Sequence, residues 1–82
     1  MDELIELLEG INDTIDFRNE KALLTDGVLD SIDLASITME LERHYGIKIK
    51  MKYIDAENFD SAEAMLALVE ELSYIIYTGE KK

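Results

Sequence analysis

A small all-helical bundle is the fold this sequence predicts, on three observations. Proline is absent and glycine occurs only four times in 82 residues, so little interrupts helix propagation. Apolar residues recur at three- and four-residue steps in three separate stretches, the period of a helix with one buried face. The one stretch that alternates like a strand has no second stretch to pair with, so its backbone hydrogen bonds would have nowhere to go. A chain of this length suits a single domain, residues 1–82, with a modest core and a stability on the order of a few kcal/mol.

The first helix is expected from about Asp2 to Thr14: Leu4, Ile5, Leu8, Ile11 and Ile15 follow helical spacing, with acids between them that suit the positive end of the helix dipole. Gly10 weakens it near its end. From Ile15 to Asp30 the periodicity dissolves into a long connection, with Phe17, Leu23, Leu24, Val28 and Leu29 as anchors into the core; loops of this length in small domains often carry function. The second helix should run from Ser31 to about Tyr45, with Leu34, Ile37, Thr38, Leu41 and Tyr45 on one face and Gly46 as its stop. Ile47-Lys48-Ile49-Lys50-Met51-Lys52 alternates, yet without a partner strand it reads as an extended segment pinned by Ile47 and Ile49, leading into a short helix over about 53–58. The last helix is expected over about 61–77. Asp60 can cap it with Glu63 as the capping-box acid, and Ala62, Met65, Leu66, Val69, Leu72 and Ile76 form its apolar stripe, with residues 78–82 as a tail.

Eight basic and nineteen acidic residues give a net charge of −11, which repels nucleic acid and favours partners with basic surfaces. The basic residues avoid Met1 to Phe17, Ala22 to Glu42 and Tyr53 to Glu80, so the negative field covers the expected helices. With no cysteine and a single histidine, neither a disulfide framework nor a thiolate or imidazole metal cluster can form, and no metal site is expected. No apolar run approaches the roughly 20 residues of a membrane span, and the acidic start lacks the basic region of a signal peptide, so a cytoplasmic protein with no membrane insertion is expected, as a monomer.

The residues Asp26-Gly27-Val28-Leu29-Asp30-Ser31-Ile32-Asp33-Leu34 place one serine between two aspartates where a glycine turn gives way to helix. Serine is among the favoured helix caps, and Asp30 could serve equally. As a self-activated nucleophile Ser31 is poorly supplied: His44 lies about four turns away on the same helix, and no nucleophile elbow surrounds it. If Ser31 carries chemistry, another protein must supply the base, which makes this chain a substrate and not an enzyme. On the same helix Ile32, Ala35 and Met39 point away from the core face and form an apolar stripe bordered by Asp30, Asp33, Glu40 and Glu42. An apolar stripe outside the core suits docking by a groove rimmed with lysine or arginine, where charge steers and apolar contact holds.

That nine-residue stretch resembles the attachment motif of acyl and peptidyl carrier proteins, and the likeness covers nearly the whole chain. Leu41-Glu42-Arg43-His44-Tyr45-Gly46-Ile47-Lys48-Ile49 looks like that superfamily's end of the second helix. Glu57-Asn58-Phe59-Asp60-Ser61, followed by Met65 and Leu68, is similar to the start of the last helix in peptidyl- and D-alanyl-carrier members. The resemblance implies a four-helix bundle of acyl-carrier type, with three longer helices and one short one. It implies a 4′-phosphopantetheine arm from coenzyme A on Ser31, placed there by a phosphopantetheinyl transferase that Asp30 helps to engage. An acyl or aminoacyl cargo would then ride as a thioester on the arm's thiol, presented to loading and downstream biosynthetic enzymes with basic docking surfaces. Ile32, Asp33, Ala35, Met39, Glu40 and Glu42 match or border the family's docking positions, and Ile37, Leu41, Ile54 and Phe59 could line a space for cargo between the second and third helices.

Where the family's extended segment usually contains proline, this chain has Lys48, Lys50 and Lys52, and Ser36 and Arg43 fall on the surface face of the second helix. Leu29 before Asp30 is closer to D-alanyl and some secondary-pathway carriers than to the common fatty-acid type. The alternative from a different class is an unmodified helical interaction module, with Ser31 only a cap. A calcium site is disfavoured, since residues 26–33 lack the alternating ligands and closing glutamate of an EF-hand loop.

Overall fold

The computed structural model describes residues 1–78, with side chains through Ile75. Helix α1 spans Asp2–Ile11 and buries Leu4, Ile5 and Leu8, the face that the spacing predicts. It stops three residues short of Thr14 because Asn12 turns extended (φ −153°, ψ 100°) and its side-chain oxygen accepts from the Thr14 N–H (3.1 Å) and hydroxyl (2.6 Å). That local turn offers the backbone an alternative to helix. The long connection follows, anchored through fully buried Phe17 and Leu23 and nearly buried Leu29, with Leu24 and Val28 half-buried against the core.

Helix α2 spans Ser31–Tyr45, buries Ile37 and Leu41, and ends at Gly46 with φ 66°, a left-handed conformation that a side chain would strain. It lies antiparallel to α1: Glu3 at one end meets His44 at 2.6 Å, and Asn12 at the other donates to the Asp33 carboxylate at 3.4 Å. Burial, and after it the Glu3 carboxylate that also meets His44, push the Tyr45 phenol pKa above its ordinary value.

Residues 47–50 run extended, with Ile47 and Ile49 turned into the core and the Ile49 N–H donating 2.8 Å to the Glu42 carboxylate. The short helix expected over 53–58 is two pieces, a 3-10 turn at Met51–Tyr53 and helix α3 at Ala56–Phe59. The break falls at Asp55, which is extended (φ −148°, ψ 174°) and accepts the Asn58 N–H at 3.0 Å as the cap of α3. Phe59 is fully buried and fastens this single turn of helix to the core.

Helix α4 spans Ala62–Thr78 and packs against α1, α2 and α3. Ala62, Met65, Leu68, Val69 and Leu72 are buried and Leu66 is half-buried; Ile76, which the periodicity adds, lies outside the residues whose side chains are described. Its cap is Ser61, whose hydroxyl accepts the Ala64 N–H at 3.1 Å, and not Asp60 as the capping-box pattern suggests. Glu63 binds Lys21 at 2.6 Å, a contact that comes first among the causes holding its carboxyl below the usual range. Thr78 is still helical, and the rest of the expected tail, residues 79–82, lies outside the described residues. The described residues thus form an all-helical bundle, and among them no helix is long and apolar enough to cross a membrane.

Candidate functional site at the start of the second helix

Asp60 is free of capping because it holds the long connection in place. Its carboxylate accepts the N–H groups of Leu24 and Thr25, each at 2.8 Å, and the Thr25 hydroxyl at 2.6 Å, while its own carbonyl accepts the Leu23 N–H at 2.9 Å. The Thr25 hydroxyl, then the Thr25 N–H, hold the Asp60 carboxyl below its usual range, with opposing desolvation next and the Leu24 N–H the smallest contribution. A carboxyl with a depressed folded pKa contributes stability that is fully present above the unfolded value and lost as pH falls through the folded one. Asp60→Asn is therefore expected to melt lower than the parent at neutral pH and to converge with it in acid, read as melting temperature against pH. A gap that persisted unchanged below the folded pKa would mean that the charge plays no part.

From that anchorage the chain closes a turn through Gly27, whose φ of 71° needs no side chain, and the Leu29 N–H returns to the Leu23 carbonyl at 3.0 Å. The turn delivers Asp30 in extended conformation (φ −89°, ψ −179°) at the head of α2. Asp30 is the cap: its carboxylate accepts the Asp33 N–H at 2.7 Å, and its carbonyl accepts the Leu34 N–H at 2.9 Å. Ser31 is thereby the first helical residue and not the cap, which corrects the alternative that gave it only that role. Its side chain is exposed, and its hydroxyl has no hydrogen-bond partner among the described residues.

The docking candidates divide. Ile32 (74% exposed), Ala35 and Met39 (63%) project into solvent along α2, over about 10 Å of helix. Glu40 stands beside them, paired with Arg43. Asp33 is half-buried and leans toward Asn12, and Glu42 is engaged by the Ile49 N–H, so neither is as free as its place on the helix suggests. Of the residues named for a cargo space, Ile37, Leu41 and Phe59 are fully buried and Ile54 is half-buried.

Sequence reading missed the two residues that build the site from behind, Asp60 as the clamp on the connection and Glu42 as the tie on the extended segment. Apart from the Thr25 hydroxyl, their partners are backbone N–H groups, which leave no pattern in the sequence.

Chemically, the head of α2 offers an accessible hydroxyl at the positive end of a helix dipole, which stabilises negative charge placed on that oxygen. No base accompanies it: the one histidine is 13 positions on, about 20 Å along the helix, and is held by Glu3. Among the described residues no group of three His, Cys, Asp or Glu could hold a metal ion. Alignment with curated proteins finds D-alanyl carrier proteins. Those of Lactococcus lactis subsp. cremoris strains MG1363 and SK11 are each 28% identical over 72 residues, spanning 85% of this chain and 91% of theirs. That of Lactococcus lactis subsp. lactis strain IL1403 is 26% identical over the same shares. No protein-family model matches the chain, and no solved structure does. The similarity is distant but runs across nearly the whole length, and it supports a carrier-protein role in general.

Proposed function

We propose that this protein is a non-catalytic carrier that holds acyl or aminoacyl groups on a 4′-phosphopantetheine arm joined to Ser31. The observation that carries the reading is the idle hydroxyl of Ser31. Asp30 does the capping, so the serine has no capping task, yet it stands exposed beside an apolar stripe that nothing among the described residues covers. The site fits the arm: a phosphodiester on Ser31 Oγ would lie at the positive end of α2, and the carboxylate of the preceding residue, Asp30, is turned to the helix as its cap. The arm, once attached, supplies the thiol that the chain lacks and so holds cargo as a thioester.

In attachment, the Ser31 oxygen bonds to the phosphorus of the pantetheine phosphate, adenosine 3′,5′-bisphosphate leaves, and the hydroxyl proton passes to a base of the transferase. Asp30 keeps the helix head formed and lies beside the incoming enzyme. Ile32, Ala35 and Met39, with Glu40 at their side, offer apolar contact and charge to enzymes with basic docking surfaces, first the transferase and then those that load and unload. Because the similar proteins are named for D-alanine, a small aminoacyl cargo is the first to test. It would also suit a core in which Ile37, Leu41 and Phe59 are already fully buried.

Incubating the protein with coenzyme A and a broad-specificity phosphopantetheinyl transferase is expected to raise its intact mass by one phosphopantetheinyl group, located to Ser31 by fragmentation. An unchanged mass with a transferase competent on a control carrier overturns the reading.

A further inference from the structure

Gly10 has no structural reason to be glycine. It lies within α1 with an ordinary negative φ, and a Cβ built on it meets nothing within 4 Å. Alanine there would favour the helix by up to about 1 kcal/mol. What the missing side chain leaves is a notch of about 290 Å³ between α1 and α2, lined by Glu6, Leu7, Gly10, Ile11 and Glu40. Its volume falls at the lower edge of the roughly 300–1,000 Å³ of small-molecule sites, which suits one inserted side chain. Leu7 and Ile11 offer half-buried apolar surface, while Glu6 and Glu40 bring carboxylates from two different helices. Glu6 has no side-chain partner among the described residues. Among the described residues Glu40 pairs only with Arg43, three residues on and exposed, a kind of pair worth under about 1 kcal/mol and readily exchanged.

An apolar floor with carboxylates from both walls matches a long side chain with an aliphatic stem and a planar cationic head. We propose that the notch seats an arginine of a partner enzyme and extends the docking surface from α2 onto α1. The partner rests on the carrier reading; the notch itself does not. Glu40 follows Met39 directly, so an enzyme covering the apolar stripe reaches the notch without leaving α2. The chain's charge of −11 draws such a cation in, and the glycine lets its stem lie flat.

Isotope-labelled protein titrated with n-butylguanidinium, an arginine side chain without its backbone, is expected to show saturable shifts at the amides of Leu7, Gly10, Ile11 and Glu40. The neutral isostere n-butylurea should show none. Gly10→Leu, which fills the notch, is expected to abolish the saturable shifts while leaving the melting temperature equal or higher; Glu6→Gln should weaken binding several-fold. Shifts that rise without saturating over the whole acidic surface, or saturable shifts that survive Gly10→Leu, overturn the proposal. The transferase mass assay on the same samples separates the two readings: arm addition without a saturable probe site removes the notch alone, and a saturable site without arm addition removes the carrier role alone.

Discussion

Replacing Phe59 with alanine is expected to lower the stability of this domain by about 3–5 kcal/mol, the usual cost of truncating a fully buried phenylalanine. At roughly 0.05–0.15 kcal/mol per residue the whole domain has only about 4–12 kcal/mol to lose, so the variant gives up a large share of its stability. The effect should exceed the lost contacts. Helix α3 is a single turn, far below the length at which a helix holds itself together, and Phe59 with the Asp55 cap is what keeps it in place. Once α3 lets go, Asp60 follows, and with it the grip on Leu24 and Thr25. Urea titration with fluorescence or circular dichroism reads this directly; a loss below about 1 kcal/mol would show that α3 docks by other means. Met51→Ala is the matched control. That side chain is 86% exposed, and its removal should change stability by no more than about 0.5 kcal/mol.

The second large effect is on function and leaves the fold alone. Ser31→Ala is expected to abolish arm addition completely while changing stability by no more than about 0.5 kcal/mol, because Ser31 caps nothing. Asp30→Ala is the complementary case: losing the bond to the Asp33 N–H should cost about 0.5–2 kcal/mol and slow the transferase without removing the acceptor oxygen. Thermal melts and intact mass on the two variants separate the roles. If Ser31→Ala destabilised as much as Asp30→Ala, the capping assignment would be wrong, and if it still gained the arm, the attachment site would be.

The helices and the face each buries were legible because amphipathic spacing is a strong local signal, and Leu4, Leu8, Ile37, Leu41, Met65 and Val69 stand where it puts them. The alternating run from Ile47 was also readable once the lack of a partner strand was weighed against its pattern. What the sequence hid was the choice among neighbouring polar residues. Asp30 or Ser31, and Asp60 or Ser61, are equivalent caps on local grounds, and the structure takes the first of one pair and the second of the other. Asp60 bonds instead to residues 35 and 36 positions away, partners that no local window contains. The early end of α1 is different: Asn12 and Thr14 carry that signal, and apolar spacing out to Ile15 masked it.

Asp60 joins the end of α3 to the long connection before α2. It sits directly after α3, and it grips the connection seven and six residues before Ser31. Phe59 fixes α3 to the core, so a movement of α3 would pull on Leu24 and Thr25 through Asp60. The turn leading to Ser31 would then register that movement, so that a change on the buried side of α3 would show on the outside, at the exposed head of α2.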